Sequence, residues 1–312
     1  MSLAVSALTD FNNELAGELV LKMVYGGSTI EYVTVQEGVK FKEPINLFDV
    51  SLTMNNSTCV SSAAGTATFS QRNIEVCPRT SFDALCLKDL DKKYLGISSL
   101  GKGSYNETWA LANAYSELLV NQFQKANDYF LWQQVSGSSS TFGGTCAVDG
   151  LNRIITGSTA GVVRSTVTSM AAANILTTMD AMIQSSSADV ADREDLTFFM
   201  SVSNFRNYIT ALRSANNFYF DPGSVTNRKN LYEMAYPFSP NIKVVGTVGL
   251  QGTNRCVLGP AKQIVVGTDL LSDFSEFQLW YDINTDTLRH RIATKMGQNI
   301  AYPEFWVSND LA

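Results

Sequence analysis

The sequence has a single histidine, no C-x-x-C pair among its five cysteines, and no run of basic residues. Each absence removes a class of function. A catalytic triad or general base that uses histidine has only His290 to call on. That residue falls in an expected strand between Arg289 and Arg291, on the face of Leu288 and Ile292. Two flanking cations disfavour its charged form, so it reads as a packed histidine. Zinc needs clustered sulfur and nitrogen ligands. Cys59, Cys77, Cys86, Cys146 and Cys256 are scattered and odd in number, and read as buried or free thiols in a reducing compartment. Binding nucleic acid through its phosphates needs Lys and Arg in excess. The chain has 23 of these against 29 Asp and Glu, a net charge of −6, which argues against a direct nucleic-acid binder. No basic n-region precedes Lys22 and no apolar run reaches transmembrane length.

Charge is also scarce, at 17% against a usual quarter or so. Its place is taken by Ser, Thr, Asn and Gln, which suits broad protein–protein contacts with charge-poor centres. Hydrophobic residues make up 45% of 312, enough for one large domain or two modest ones.

Patterning divides the chain. Residues before Leu19 are polar and weakly patterned, and read as an arm. Gly26-Gly27 between apolar runs signals a turn. Phe48, Val50, Leu52 and Met54 alternate with Asp49, Ser51 and Thr53, a period of two that predicts a strand with one buried face. The segment from Tyr25 to Asn73 therefore reads as a β-rich excursion, with the charged stretch Gln36 to Glu43 as its tip. Ile74 to Val76 predicts a short strand stopped by Pro78. Phe82, Cys86, Leu90 and Tyr94 predict a helix over 82–95, capped by Ser81 and ended by Gly96. Ser104-x-x-Glu107 is a capping box, and it opens a long helix over 106–133.

The Ser/Gly-rich stretch Ser136 to Gly144 reads as a connection between subdomains. Val167, Ala171, Ile175, Thr178 and Met182 mark a further helix. Leu196 to Val202 reads as a buried strand, followed by a helix through Arg213 capped by Ser203 or Asn204. Lys243 to Val248 and Lys262 to Val266 are expected strands. At the end come Gly267-Thr268-Asp269-Leu270, a hairpin of Phe277 to Asp282 and Leu288 to Thr294 turning at Asn284-Thr285-Asp286, and a closing strand Asn299 to Val307.

Three constellations invite a chemical reading. Gly96-x-x-x-x-Gly101-Lys102 matches the start of a phosphate-binding loop, and a nucleotide-binding enzyme would rest on Lys102. Gly103 stands where such a loop needs Ser or Thr, and a helix stands where it needs a strand. Asp189, Asp192, Glu194 and Asp195 cluster without the spacing of a calcium loop, and read as a solvated turn. Phe218-Tyr219-Phe220 ahead of Asp221-Pro222-Gly223 reads as a loop anchor or subunit contact. No catalytic, cofactor or metal site is assigned.

The order of arm, β excursion, long helix, α/β step, Gly-Thr-Asp-Leu strand, hairpin and closing strand near Phe305-Trp306-Val307 resembles the major capsid protein family of tailed bacteriophages, including crAss-like and related phages of Bacteroidetes. The resemblance implies an α+β, HK97-like capsid fold. An N-terminal arm (1–24) would lead to an extended β-hairpin loop (25–73). A peripheral domain (74–149 and 268–298) would hold the spine helix, 106–133, and an axial α/β domain would span 150–267 and 299–312.

It implies a structural protein, not an enzyme, that self-assembles as hexamers and pentamers into an icosahedral shell around double-stranded DNA. The implied partners are other copies, a portal, and scaffold or decoration proteins; the DNA is enclosed without sequence-specific binding, and no membrane is involved. The implied location is the virion, with the host cytoplasm during assembly. The implied subunit contacts are Gln36, Glu37, Lys40, Lys42 and Glu43 on the loop, with Arg228 and Lys229. Gly246 to Arg255 would face the capsomer centre. No acidic scaffold segment precedes Leu19, which implies a separate scaffold or one already removed. An encapsulin-like cellular shell of the same fold is the alternative within this class, and a virion tail or decoration protein forming rings is another.

Overall fold

The computed structural model describes residues 29–54, 65–86, 119, 122–137, 139–140, 144–156, 162–167, 169–215, 232–237, 239–269, 278–282, 284–285 and 287–309. Two sheets organise them. The larger has six strands in the order β7 (Val163–Arg164), β15 (Val307–Ser308), β11 (Cys256–Pro260), β8 (Leu196–Ser201), β10 (Ser239–Thr247) and β9 (Glu233–Tyr236). β8 and β10 are parallel, and β11 runs antiparallel to β8. All six residues of β8 are buried, because both faces of this sheet are covered. Side chains alternate across a strand, so Phe198 and Met200 enter one core while Phe199 enters the other. Val244 and Val245 divide in the same way, as do Leu258 and Val257.

The first core lies under helices α3 (Ile175–Ser185) and α4 (Val202–Ser214). Ser201 caps α4, its hydroxyl accepting from the Asn204 amide at 3.2 Å. The cap therefore sits two to three residues earlier than expected, since the last strand residue already has the extended backbone that a cap requires. α3 starts at Ile175. Residues 169–174 precede it as a non-helical turn, and the Thr178 hydroxyl donates to Ser169 O at 2.6 Å and Asn174 O at 3.0 Å. The expected helix thus loses its first turns, from Val167 to Ala171.

The second core packs around helix α1, described over 122–133, which buries Phe130, Leu131 and Trp132. This agrees with the expected long helix where it is described. Asp128 accepts from Thr29 N and Thr247 Oγ1, and Trp132 Nε1 donates to Thr29 Oγ1. A Cβ on Gly249 would overlap Asp128 O and the Trp132 ring, so only glycine lets that turn lie against the helix.

The smaller sheet joins β1 (Thr34–Gln36), β12 (Ile264–Gly267), β14 (Thr287–Ile300) and β13 (Gln278–Asp282), with β4 (Cys77–Cys86) also paired to β14. β14 is one strand of fourteen residues. It absorbs the start of the expected closing strand, because Gly297 to Ile300 continue straight from the hairpin to pair with β12. Gly297 lies so close to Glu75 O that no side chain fits there.

β4 overturns two expectations. Phe82 to Cys86 is strand, paired residue for residue with Thr287 to Arg291, and the rest of the expected helix, 87–95, lies outside the described residues. Pro78 sits inside the strand. Among the described residues β4 is paired on one side only, and an edge strand tolerates a residue without an N–H.

Cysteine pairing is a further correction. Cys77, at the start of β4, forms a disulfide with Cys146, with Cα atoms 5.9 Å apart. Cys256 is a buried free thiol, and burial pushes its pKa up. The expected connection over Ser136 to Gly144 contains a small ladder, β5 (Ser139–Ser140) with β6 (Gly144–Thr145), immediately before the disulfide. A short helix α2 (Leu151–Thr156) follows.

Candidate assembly surfaces

β2 (Lys42–Leu52) and β3 (Gly65–Glu75) form an antiparallel ribbon of eleven matched pairs, from Lys42 opposite Glu75 to Leu52 opposite Gly65. At about 3.3 Å per residue the ribbon is roughly 35 Å long. Its root is anchored: Ile74 is buried with Val39, Val76 and Val265, and Ile45 packs against them. Leu47 is its last buried residue. Tyr302 then grips the backbone, its hydroxyl accepting from Phe48 N and donating to Phe48 O, both at 3.1 Å.

Beyond Phe48 the ribbon leaves the body with two unlike faces. Phe48, Val50 and Leu52 share a face with Phe69 and Ala67, and the Phe48 and Phe69 rings lie 4.5 Å apart. Ser51 and Thr66 share hydroxyl hydrogen bonds on the opposite face. The apolar face is bare: Leu52 is 79% exposed, Met54 86% and Phe69 79%. The alternation from Phe48 to Met54 therefore does not mark burial within the chain, contrary to expectation. Nothing else in the described residues covers it. A second exposed group of aromatics lies on β4 and β13, where Phe82 and Trp280 approach to 6.1 Å and Tyr281 is part-exposed.

No family model and no curated sequence matches the chain. Solved structures do. A chain of the satellite phage P4 procapsid that includes the size determination (Sid) protein aligns over 98% of this chain and 97% of its own, at 10% identity and TM-score 0.54. The capsid of an empty GTA particle aligns over 90% and 88%, at 12% identity and TM-score 0.54. A virus-like particle from Pyrococcus furiosus aligns over 96% and 98%, at 8% identity and TM-score 0.53. The chain has the fold of a capsid subunit.

Within this capsid fold the expected contact residues are not at the loop's tip. β1 ends at Gln36, Gly38 turns the chain with φ of +82°, and Val39 is fully buried with its N–H on Thr268 O. Gln36 Nε2 donates to Glu43 at 3.1 Å across the turn. Gln36 to Glu43 therefore form the base of the ribbon, docked on the Gly267-Thr268-Asp269 segment, with Glu37, Lys40, Phe41 and Lys42 exposed. The charges there mark a turn. The outermost described pair of the ribbon is Leu52 with Gly65. Arg228 and Lys229 lie outside the described residues, as do the Gly96–Lys102 loop and Phe218 to Gly223. Leu270, the last residue of the Gly-Thr-Asp-Leu segment, lies outside them too.

Gly246 to Arg255 turn against α1, with Gln133 donating to Gly249 O and Gln251 O, and Arg255 is buried. Gln251, Gly252 and Asn254 are the exposed part of that turn.

The polar candidates are structural in their surroundings. His290 is buried between Leu279 and Asp83 on the paired strands, and burial lowers its pKa despite the nearby carboxylate. Arg193 holds Asp195 through two hydrogen bonds of 2.8 Å, which depresses that carboxyl's pKa. Among the described residues no group of His, Cys, Asp and Glu could hold a metal, and no helix is long and apolar enough to cross a membrane. Sequence reasoning missed Tyr302 and Phe69. Phe69 had a signal, since Ala67 and Phe69 alternate with Thr66, Thr68 and Ser70.

Proposed function

We propose that this chain is a shell subunit: a structural protein whose copies assemble as hexamers and pentamers into an icosahedral phage capsid enclosing double-stranded DNA. The observation that carries this is the bare apolar face of the β2–β3 ribbon. A two-stranded ribbon is marginal by itself, and an exposed apolar stripe on one marks an interaction site. A neighbouring subunit covers it. Around a ring each subunit gives one surface and receives another, so one ribbon per subunit closes the ring.

In this reading the arm, extended loop, peripheral domain and axial domain follow the partition given above. Gln36, Glu37, Lys40, Lys42 and Glu43 contact a neighbour at the ribbon's base, and Arg228 and Lys229 do so elsewhere. A portal and a scaffold or decoration protein complete the particle, which forms in the host cytoplasm and persists as the virion. The net charge of −6 fits a wall that encloses DNA without gripping it.

A second reading is an encapsulin-like cellular shell, favoured by the similarity to the virus-like particle from Pyrococcus furiosus. Both readings predict closed particles, and their contents differ.

The test is negative-stain electron microscopy of the chain expressed alone and with its genomic neighbours. Shells, hexamers or polyheads are expected. A clean monomer under every condition overturns the proposal. Nuclease-protected DNA inside purified particles supports the phage capsid, and a protein cargo supports the cellular shell.

A further inference from the structure

The ribbon strand β3 ends at Glu75, and β4 starts at Cys77. Cys146 lies on the far side of a small turn-back that follows α1. There Gly137 N donates to Cys146 O at 2.8 Å, and Ser136 Oγ donates to Ala147 O at 2.9 Å. The Cys77–Cys146 bond therefore joins the root of the ribbon to the segment that leaves α1.

Both cysteines are also held by bonds that involve no sulfur. On one side Val76 N donates to Phe41 O at 2.9 Å, and Cys77 pairs with Met296 of β14. On the other, Asp149 accepts from Ser136 N through its carboxylate at 2.8 Å and from Gln298 Nε2 through its backbone O at 2.9 Å. A fold that pins both flanks keeps the two thiols within reach of each other when they are reduced. Their closure is then an intramolecular step at high effective concentration.

The pair is open to a small reagent from one side. Cys146 is 2% exposed, whereas Cys77 is half-buried. Cys77 and Arg79 share a face of β4, and Arg79 Nη2 lies 3.6 Å from the sulfur of Met296, the residue opposite Cys77. A guanidinium so placed favours the thiolate, which is the attacking species in disulfide exchange.

We propose that Cys77 and Cys146 are a redox-timed lock, a dithiol while the subunit folds and assembles and a disulfide in the finished particle. The timing rests on the shell reading, in which assembly takes place in a cytoplasm that keeps thiols reduced and the particle then leaves it. The oxidant is a low-molecular-weight disulfide. The Cys77 thiolate attacks one of its sulfurs, forming a mixed disulfide and releasing one small thiolate. The Cys146 thiolate then attacks the Cys77 sulfur, closing the bond and releasing the second. Two protein thiols are oxidised, one small disulfide is reduced to two thiols, and the protein's two thiol protons pass to them. Closure fixes the ribbon's root to the end of α1 after the contacts between subunits have formed.

The test uses particles assembled in a reducing bacterial cytosol. They are quenched in acid, unfolded and alkylated with N-ethylmaleimide, and the Cys77 and Cys146 peptides are read by mass spectrometry. Both should carry the label. Oxidised glutathione added to intact particles should abolish labelling at both positions, leave the particles closed in electron micrographs and raise their denaturant midpoint. Cys77→Ser and Cys146→Ser particles should form at wild-type yield and show no such rise. A disulfide already present in the cytosolic particles, or particles that open on oxidation, overturns the lock while the shell reading stands. If no particles form in any redox condition, the shell reading fails, and the same trapping on the isolated subunit still decides the pair. A folded dithiol that closes with oxidised glutathione keeps the lock, and a chain that folds only once oxidised overturns it.

Discussion

The hydroxyl of Tyr302 sits 3.1 Å from both the N and the O of Phe48, 254 residues earlier in the chain. One side chain thus replaces a ladder pair at the point where the ribbon leaves the body. Tyr302→Phe keeps the ring beside Phe305 and deletes both bonds. The expected cost to global stability is about 1 kcal/mol. The local effect should be larger: amide hydrogens of β2 beyond Leu47 should exchange faster than wild type while those of β8 do not. Hydrogen-exchange mass spectrometry reads both.

The apolar tip should matter to assembly and not to folding. Leu52→Asp combined with Met54→Asp alters two side chains that touch little within the chain. The unfolding free energy should stay within about 0.5 kcal/mol of wild type, as for other surface changes. Particle yield in light scattering should collapse. Normal particles from this variant would remove the ribbon from the assembly mechanism.

The disulfide should be worth a large share of stability. Closing a loop with a sequence separation of 69 corresponds to about 4 kcal/mol in the chain-entropy description. Cys77→Ser should lower the unfolding free energy by that order in oxidising buffer. In reductant, wild type and variant should converge, and a gap that persists there would assign the effect to packing around Cys77.

His290 gives the fold an acid sensitivity. Burial lowers its pKa below the ordinary value, so the unfolded chain takes up a proton that the folded chain refuses. This contribution is intact above the unfolded value of about 6.5. It is lost as pH falls through that value towards the folded one, with a slope of at most about 1.4 kcal/mol per pH unit. His290→Phe should flatten the urea midpoint between pH 7.5 and 5.5 relative to wild type, even if its absolute stability differs.

Local signals carried the parts of the fold whose partners are close in sequence. Asn284-Thr285-Asp286 announced the turn between β13 and β14, and Leu196 to Arg213 read as strand then helix, because each needs only neighbours to form. β4 was misread because its partner, β14, begins about two hundred residues later, and Phe82 and Cys86 also fit a helical spacing. The same distance hid the Cys77–Cys146 pair, for which no spacing rule exists. Period-two alternation from Phe48 to Met54 revealed a two-faced strand but not what covers it. Among the described residues nothing covers it. The charged stretch from Gln36 to Glu43 drew attention away from the true end of the ribbon, since charge marks any solvated turn equally well.

The Cys77–Cys146 bond also turns everything between those two residues into a covalent ring. A protease that cuts once inside it opens the ring and releases nothing. The nicked subunit would keep its full mass on a non-reducing gel and separate into two pieces only when reduced. Surviving intact through a first cut is a property that a shell exposed outside a cell could use.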